Sequence, residues 1–218
     1  MTIQVISSTS SSGNSSAPSV AMPADWQAGD LLVVAMSKNA DRIATDNNGA
    51  NPMAKDIEVV GLSGGNGFSI HSRILTASER STWDFTFAAG GERWTLVAFV
   101  VRNWSKRPQI YDSITAVAAG GSVCPAATIT ENGCLAVAVA NQDGSGDTFN
   151  TPLASGWTDI KIVNAQQAIA VAYKVVNKGS TGTVSMNITG SVSGHAALTV
   201  FAIKPLLISP FPSSLQNA

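Results

Sequence analysis

Four strand-length segments recur in the same order about a hundred residues apart, and this repetition constrains the fold more than any other feature. Leu31-Leu32-Val33-Val34-Ala35-Met36 is echoed by Leu135-Ala136-Val137-Ala138-Val139-Ala140, and Ile70-His71-Ser72-Arg73-Ile74-Leu75 by Val171-Ala172-Tyr173-Lys174-Val175-Val176. Trp83 to Phe87 is echoed by Val184 to Ile188, and Thr95 to Val101 by Ala197 to Ile203. Identities are few; what recurs is the placement of apolar runs and turn residues. A continuous apolar run of six residues suits a strand covered on both faces, whereas Phe68, Ile70, Ser72 and Ile74 alternate as on a strand with two unlike faces. No stretch sustains a helical period. The expected fold is all-β, an antiparallel β-sandwich or jelly roll built from two similar tandem halves.

Turn signals divide the chain. Residues 1–18 contain a Ser-rich run and read as an N-terminal arm, with Ile3 to Ile6 read as a short strand. Residues 19–104 form the first β-sandwich half, 105–121 a connector containing Pro108, and 122–205 the second half. Residues 39–55 and 142–152 are polar, with Asn-Gly and Gly-Asp turn residues, and read as matching long loops. Asn132-Gly133 is a strong signal for a tight hairpin. Residues 206–218 carry Leu206, Leu207, Ile208 and Phe211 among prolines that exclude a regular helix, and an apolar tail of this kind needs a surface to lie on.

Composition excludes several function classes. Charged residues make up 12% of the chain, half the usual ~25%, and the net charge is −1. Nucleic-acid binders carry a basic stripe; here the only basic knot is Arg102, Lys106 and Arg107, read as a solvated connector. No run approaches the ~20 apolar residues of a membrane span, and the N-terminus lacks the regions of a signal peptide. Neither a nucleic-acid nor a membrane partner is expected. Cys124 and Cys134 cannot form a disulfide framework and read as buried thiols, which suits a reducing compartment.

Catalytic patterns are thin. A hydrolase triad needs a histidine between nucleophile and acid, yet His71 and His195 do not occupy matching places and no Gly-x-Ser-x-Gly elbow is present. Both histidines read as structural. Cys124 and Cys134 lack a nearby histidine for zinc. The Asp and Asn residues around Asp46 and Asp147 match no EF-hand loop and read as turn formers. No enzymatic activity, metal or cofactor is expected. Of the five tryptophans, all of which could stack on a sugar if exposed, Trp83 and Trp94 lie in strand patterns and read as core. Trp26 and Trp104 lie in connections, where interface anchoring suits them. The candidate interface set is therefore Trp26, Trp104, Leu206, Leu207, Ile208 and Phe211.

The segment Met22-Pro23-Ala24-Asp25-Trp26-Gln27-Ala28-Gly29-Asp30-Leu31-Leu32-Val33-Val34 resembles a strand-turn-strand opening found in β-sandwich proteins of tailed bacteriophages and prophages. In that group a Trp-containing strand and a closing strand follow, and a second half opens similarly, here from Val123-Cys124-Pro125-Ala126 to Asn132-Gly133-Cys134-Leu135. The resemblance spans roughly residues 18–205; the group's usual Arg-Gly after the closing strand is replaced by Arg102-Asn103-Trp104. It implies a non-catalytic structural virion protein, foremost a head decoration or cement protein that binds the capsid exterior through its termini and by self-association. The implied partners are other virion proteins (major capsid protein or tail proteins) and copies of itself. The implied location is the virion, assembled in the host bacterial cytoplasm. The alternative is a tail-fibre or receptor-binding module that binds carbohydrate through exposed aromatic residues.

Overall fold

The computed structural model describes residues 1–39, 43–49, 52–59, 66–87, 92–105, 111–117, 123–124, 126–143, 148–165, 167–189 and 197–206. Every regular element among them is a strand. The first eight are β1 (Gln4–Ser15), β2 (Ser19–Ala21), β3 (Leu31–Asn39), β4 (Ala44–Asp46), β5 (Ala54–Val59), β6 (Asn66–Ile74), β7 (Thr82–Phe87) and β8 (Glu92–Arg102). The remaining ten are β9 (Tyr111–Val117), β10 (Val123–Cys124), β11 (Thr128–Ile129), β12 (Cys134–Asp143), β13 (Thr148–Ala154), β14 (Thr158–Val163), β15 (Gln167–Val176), β16 (Gly179–Ser180), β17 (Val184–Thr189) and β18 (Ala197–Ile203).

All described pairings are antiparallel. One five-stranded sheet runs β1-β8-β3-β6-β5, with β2-β7-β4 as a three-stranded companion. A second five-stranded sheet runs β9-β18-β12-β15-β14, with β10-β17-β13 as its companion, and β11 pairs with β16. Read in chain order, the two large sheets place their opening, central and closing strands in the same sequence across the sheet.

The pleat explains the layering. Successive side chains on a strand point to opposite faces, so the run Leu31–Met36 splits into two rows. Leu31, Val33 and Ala35 join Val97, Phe99 and Val101 on one face, where they meet Leu135, Val137, Val139, Ile169, Val171, Phe201 and Ile203 of the other large sheet. Leu32, Val34 and Met36 face Trp83, Phe85 and Phe87 of the small sheet instead. In the second sandwich Ala138, Ala140, Ala170 and Ala172 turn towards Phe149, Val184 and Met186. The order of layers is small sheet, large sheet, large sheet, small sheet. Each large sheet is buried on both faces, which is why its central strands read as uninterrupted apolar runs. Each large side chain buried this way stabilises the fold by about 1.5–3 kcal/mol relative to exposure.

Four sequence expectations need correction. Residues 4–15 are not an arm: they form β1, paired along its length with β8 from Gln4↔Arg102 to Ser15↔Glu92. The connector 105–121 contains β9, the edge strand beside β18. The loops 39–55 and 142–152 contain β4 and the start of β5, and most of β13. Their polar residues misled because these strands edge their sheets, where one side meets solvent. Gly133 does turn the chain, with φ +74°, but β11 and β12 pair with different strands. The turn is thus an arch between sheets and not a hairpin: β11 pairs with β16, and β12 with β15 and β18.

Candidate functional site

The opening motif resolves into a clamp. Gly29 adopts φ +91°, a conformation that favours glycine, and the turn lets Asp30 reach back to accept a bond from Gln27 N at 2.8 Å. The same carboxylate takes a forked pair from the end of the closing strand β8: Arg102 Nε to Oδ1 at 3.0 Å and Arg102 Nη2 to Oδ2 at 2.7 Å. Arg102 Nη2 also donates to Asp25 O at 2.8 Å, and these bonds hold the guanidinium firmly protonated. A fork of this kind gives angular specificity that a lysine would not. The second sandwich has a looser counterpart in Lys204 Nζ and Glu131, 3.4 Å apart.

Beside this clamp the two sandwiches and the N-terminal residues meet. Trp104 pairs with Pro205 in an antiparallel bridge. Ser105 N donates to Lys204 O and Leu206 N to Asn103 O, both at 2.8 Å. Asn103 Nδ2 donates to Thr2 O at 2.9 Å. Trp104 is 2% exposed, packs in the central core and donates its indole N–H to Gly29 O at 2.9 Å. It anchors the two sandwiches to each other and offers no free surface, contrary to the reading from its place in a connection. Trp26 is partly buried against the first sandwich's core. Leu206 is 38% exposed and Met1 78%. Shallow depressions flank Leu206, one shared with Met1, Ile3, Gly133 and Pro205, the other with Gln27, Gly29, Arg102 and Trp104. The structure thus brings Trp104 and Leu206 together; Leu207, Ile208 and Phe211 lie outside the described residues.

The first sandwich encloses the ionisable side chains Lys38, Glu58 and His71, and the His71 Nδ1 there has no hydrogen-bond partner among the described residues. Lys38, fully buried, pairs with Glu58 at 2.6 Å, and Lys55 holds the other Glu58 oxygen. Burial pulls Lys38 below the usual lysine range, opposed by its bond to Glu58. Burial pushes Glu58 up, but the bonds from Lys38 and Lys55 outweigh it and hold the carboxylate below its ordinary value. His71, 1% exposed, has its Nε2 3.1 Å from Ser69 Oγ and its ring centroid 4.9 Å from that of Phe85. Desolvation lowers its pKa to about 4, so it is neutral at pH 7. Asp46 does what a turn former does: it accepts from Asn48 N at 2.9 Å and from Met53 N. Among the described residues no group of three or more His, Cys, Asp and Glu side chains is placed to hold a metal ion; His195, Cys124 and Asp147 fall outside what is described of side chains.

At the opposite end of the central core the facing rows turn polar. Thr95 Oγ1 donates to Gln167 O, Gln167 Nε2 to Ser37 Oγ at 3.0 Å, and Asn141 Nδ2 to Gly67 O at 3.0 Å. These bonds fix the registry of one large sheet on the other in a way that apolar contact alone does not. Sequence reading missed this set, since isolated Ser, Thr and Gln residues at strand ends carry no pattern. It also passed over the particular standing of Trp157, which is only partly buried where it packs against the core of the second sandwich.

No protein-family model, no curated protein and no solved structure matches the chain.

Proposed function

We propose that this chain is a non-catalytic structural protein of a tailed-phage virion, a head decoration or cement protein that binds the capsid exterior through its terminal segments and by self-association. The observation that carries this reading is that Thr2 and Leu206 both bond to Asn103, and that Met1, Thr2, Pro205 and Leu206 line one depression at a pole of the four-layer body. Residues that meet at one pole can contact one surface together, adding buried area at the cost of their own ordering. The exposed Met1 and Leu206, with the depressions beside them, give that pole an apolar character. Two further features support it: Asp30–Arg102 ties a turn to the closing strand and Lys38–Glu58 ties two strands of one sheet, and residues 22–34 resemble the opening of phage β-sandwich proteins. In this reading the body is a spacer made of two tandem sandwiches, and homo-oligomers form on a repeating lattice.

The test is co-sedimentation of the purified chain with tailed-phage capsids from the lineage that encodes it. Saturable, stoichiometric binding is expected, together with loss of binding and an unchanged melting curve for a chain ending at residue 205. Absence of the chain from purified particles, with no capsid binding, overturns the reading.

A further inference from the structure

An open groove of about 180 Å³ lies at the rim of the second sandwich, between Ala154, Ser155 and Trp157 on one side and Thr183, Val184 and Ser185 on the other. Trp157 is partly buried, while Ser155, Thr183 and Ser185 are exposed. The turn that carries the tryptophan is built by Gly156 at φ +76° and by Trp157 N donating to Ala154 O at 3.1 Å. The indole N–H and the three hydroxyls have no hydrogen-bond partner among the described residues.

The first sandwich shows why this groove is open. There the residue before β5 is Met53, 6% exposed, and the first inward residue of β7 is Trp83, fully buried. In the second sandwich the residue before β14 is Trp157 and the first inward residue of β17 is Val184. The large aromatic has moved from the interior of the small sheet to its rim, and a small side chain stands where the first sandwich is filled. The neighbour of that position differs as well. Asp84 is occupied by Arg80 at 2.8 Å and Ser19 at 2.7 Å, whereas Ser185 holds no such partner.

The lining selects a ligand class. None of the six described lining residues is ionisable, so a phosphate, sulfate or carboxylate would find no counter-charge. A purely apolar ligand would cover the hydroxyls and indole N–H without bonding them, which costs free energy. A pyranose ring satisfies both demands: its C–H face packs on the indole and its hydroxyls exchange hydrogen bonds with Ser and Thr. We propose that this groove binds one neutral pyranose unit of a saccharide. It shares no residue with the docking pole, so the two readings stand or fall separately.

The experiment uses the whole chain, a glycan array carrying neutral and acidic saccharides, and calorimetric titration with methyl glycosides of glucose, galactose, mannose, N-acetylglucosamine and N-acetylgalactosamine. At least one neutral sugar is expected to bind saturably with Kd on the order of 1 mM, and to protect tryptophan fluorescence from acrylamide. Trp157→Ala should weaken binding by about tenfold or more with the unfolding transition retained. Should that variant fail to fold, the Thr183→Val/Ser185→Ala double variant decides, with a loss of severalfold expected. No saturable neutral sugar up to about 50 mM, binding confined to acidic glycans, or undiminished binding in a folded Trp157→Ala or double variant overturns the proposal.

Discussion

His71 shows how the physics of one side chain separates a structural role from a chemical one. Its ring lies among Ser69, Phe85 and the Lys38–Glu58 pair, and burial lowers its pKa from 6.5 to about 4. In the unfolded chain the imidazole takes up a proton near pH 6.5, while in the folded chain it does so only near pH 4. Between those values the unfolded state binds more protons, so stability rises with pH across that window. The contribution is complete above about pH 6.5 and is lost as pH falls towards 4, amounting to about 3 kcal/mol at most. Urea unfolding should therefore show a steeper loss between pH 7 and pH 4.5 for the wild type than for His71→Gln. Equal losses in the two proteins would show that His71 is not buried as a neutral group. The lone position of His71 in a strand was legible in the sequence. Its neighbours were not, because they come from β5, β6 and β7, which no local pattern brings together.

Among the elements, β1 departs furthest from its sequence. A run rich in serine carries little apolar surface and reads as an arm, yet here it closes the edge of the first large sheet. Backbone pairing with β8 supplies the ladder, and the hydroxyls find carbonyls on both neighbouring layers. Thr9 Oγ1 donates to Ala21 O at 2.6 Å, Ser7 Oγ to Ala24 O, and Ser8 Oγ to Ile160 O of the other sandwich at 3.2 Å. Gly13 is required for the fit, because a Cβ there would stand 2.7 Å from the Trp94 ring. Removing residues 1–15 should uncover the edge of β8 and one side of the central core. Long uncovered edges template aggregation, so the truncated chain is expected to melt at lower temperature and to elute as aggregates in gel filtration. A truncated chain that stays monomeric with an unchanged melting curve would mean that β1 is a dispensable arm.

On the scale of the whole molecule, the central core makes the two sandwiches one cooperative body. Neither sandwich can cover the face bearing Leu31, Val33, Val97 and Phe99, or Leu135, Val137, Val171 and Phe201, without the other. Trp104–Pro205 closes one end, and Gln167–Ser37 and Asn141–Gly67 the other. Calorimetry should record one unfolding transition for the whole chain. Residues 1–105 or 106–218 produced alone should aggregate, since each exposes an apolar face larger than monomers tolerate; two separated transitions, or a monomeric and stable fragment, would contradict this. The sequence by itself determined the strand class and the burial of both faces of the central strands, because pleat periodicity and apolar runs are local properties. Tertiary structure alone decided which surface covers each face, that Trp104 is internal, and that Trp157 lines a groove where Trp83 fills a core. Those outcomes depend on which sheets stack and how large the facing side chains are, and that information is spread over residues about a hundred positions apart.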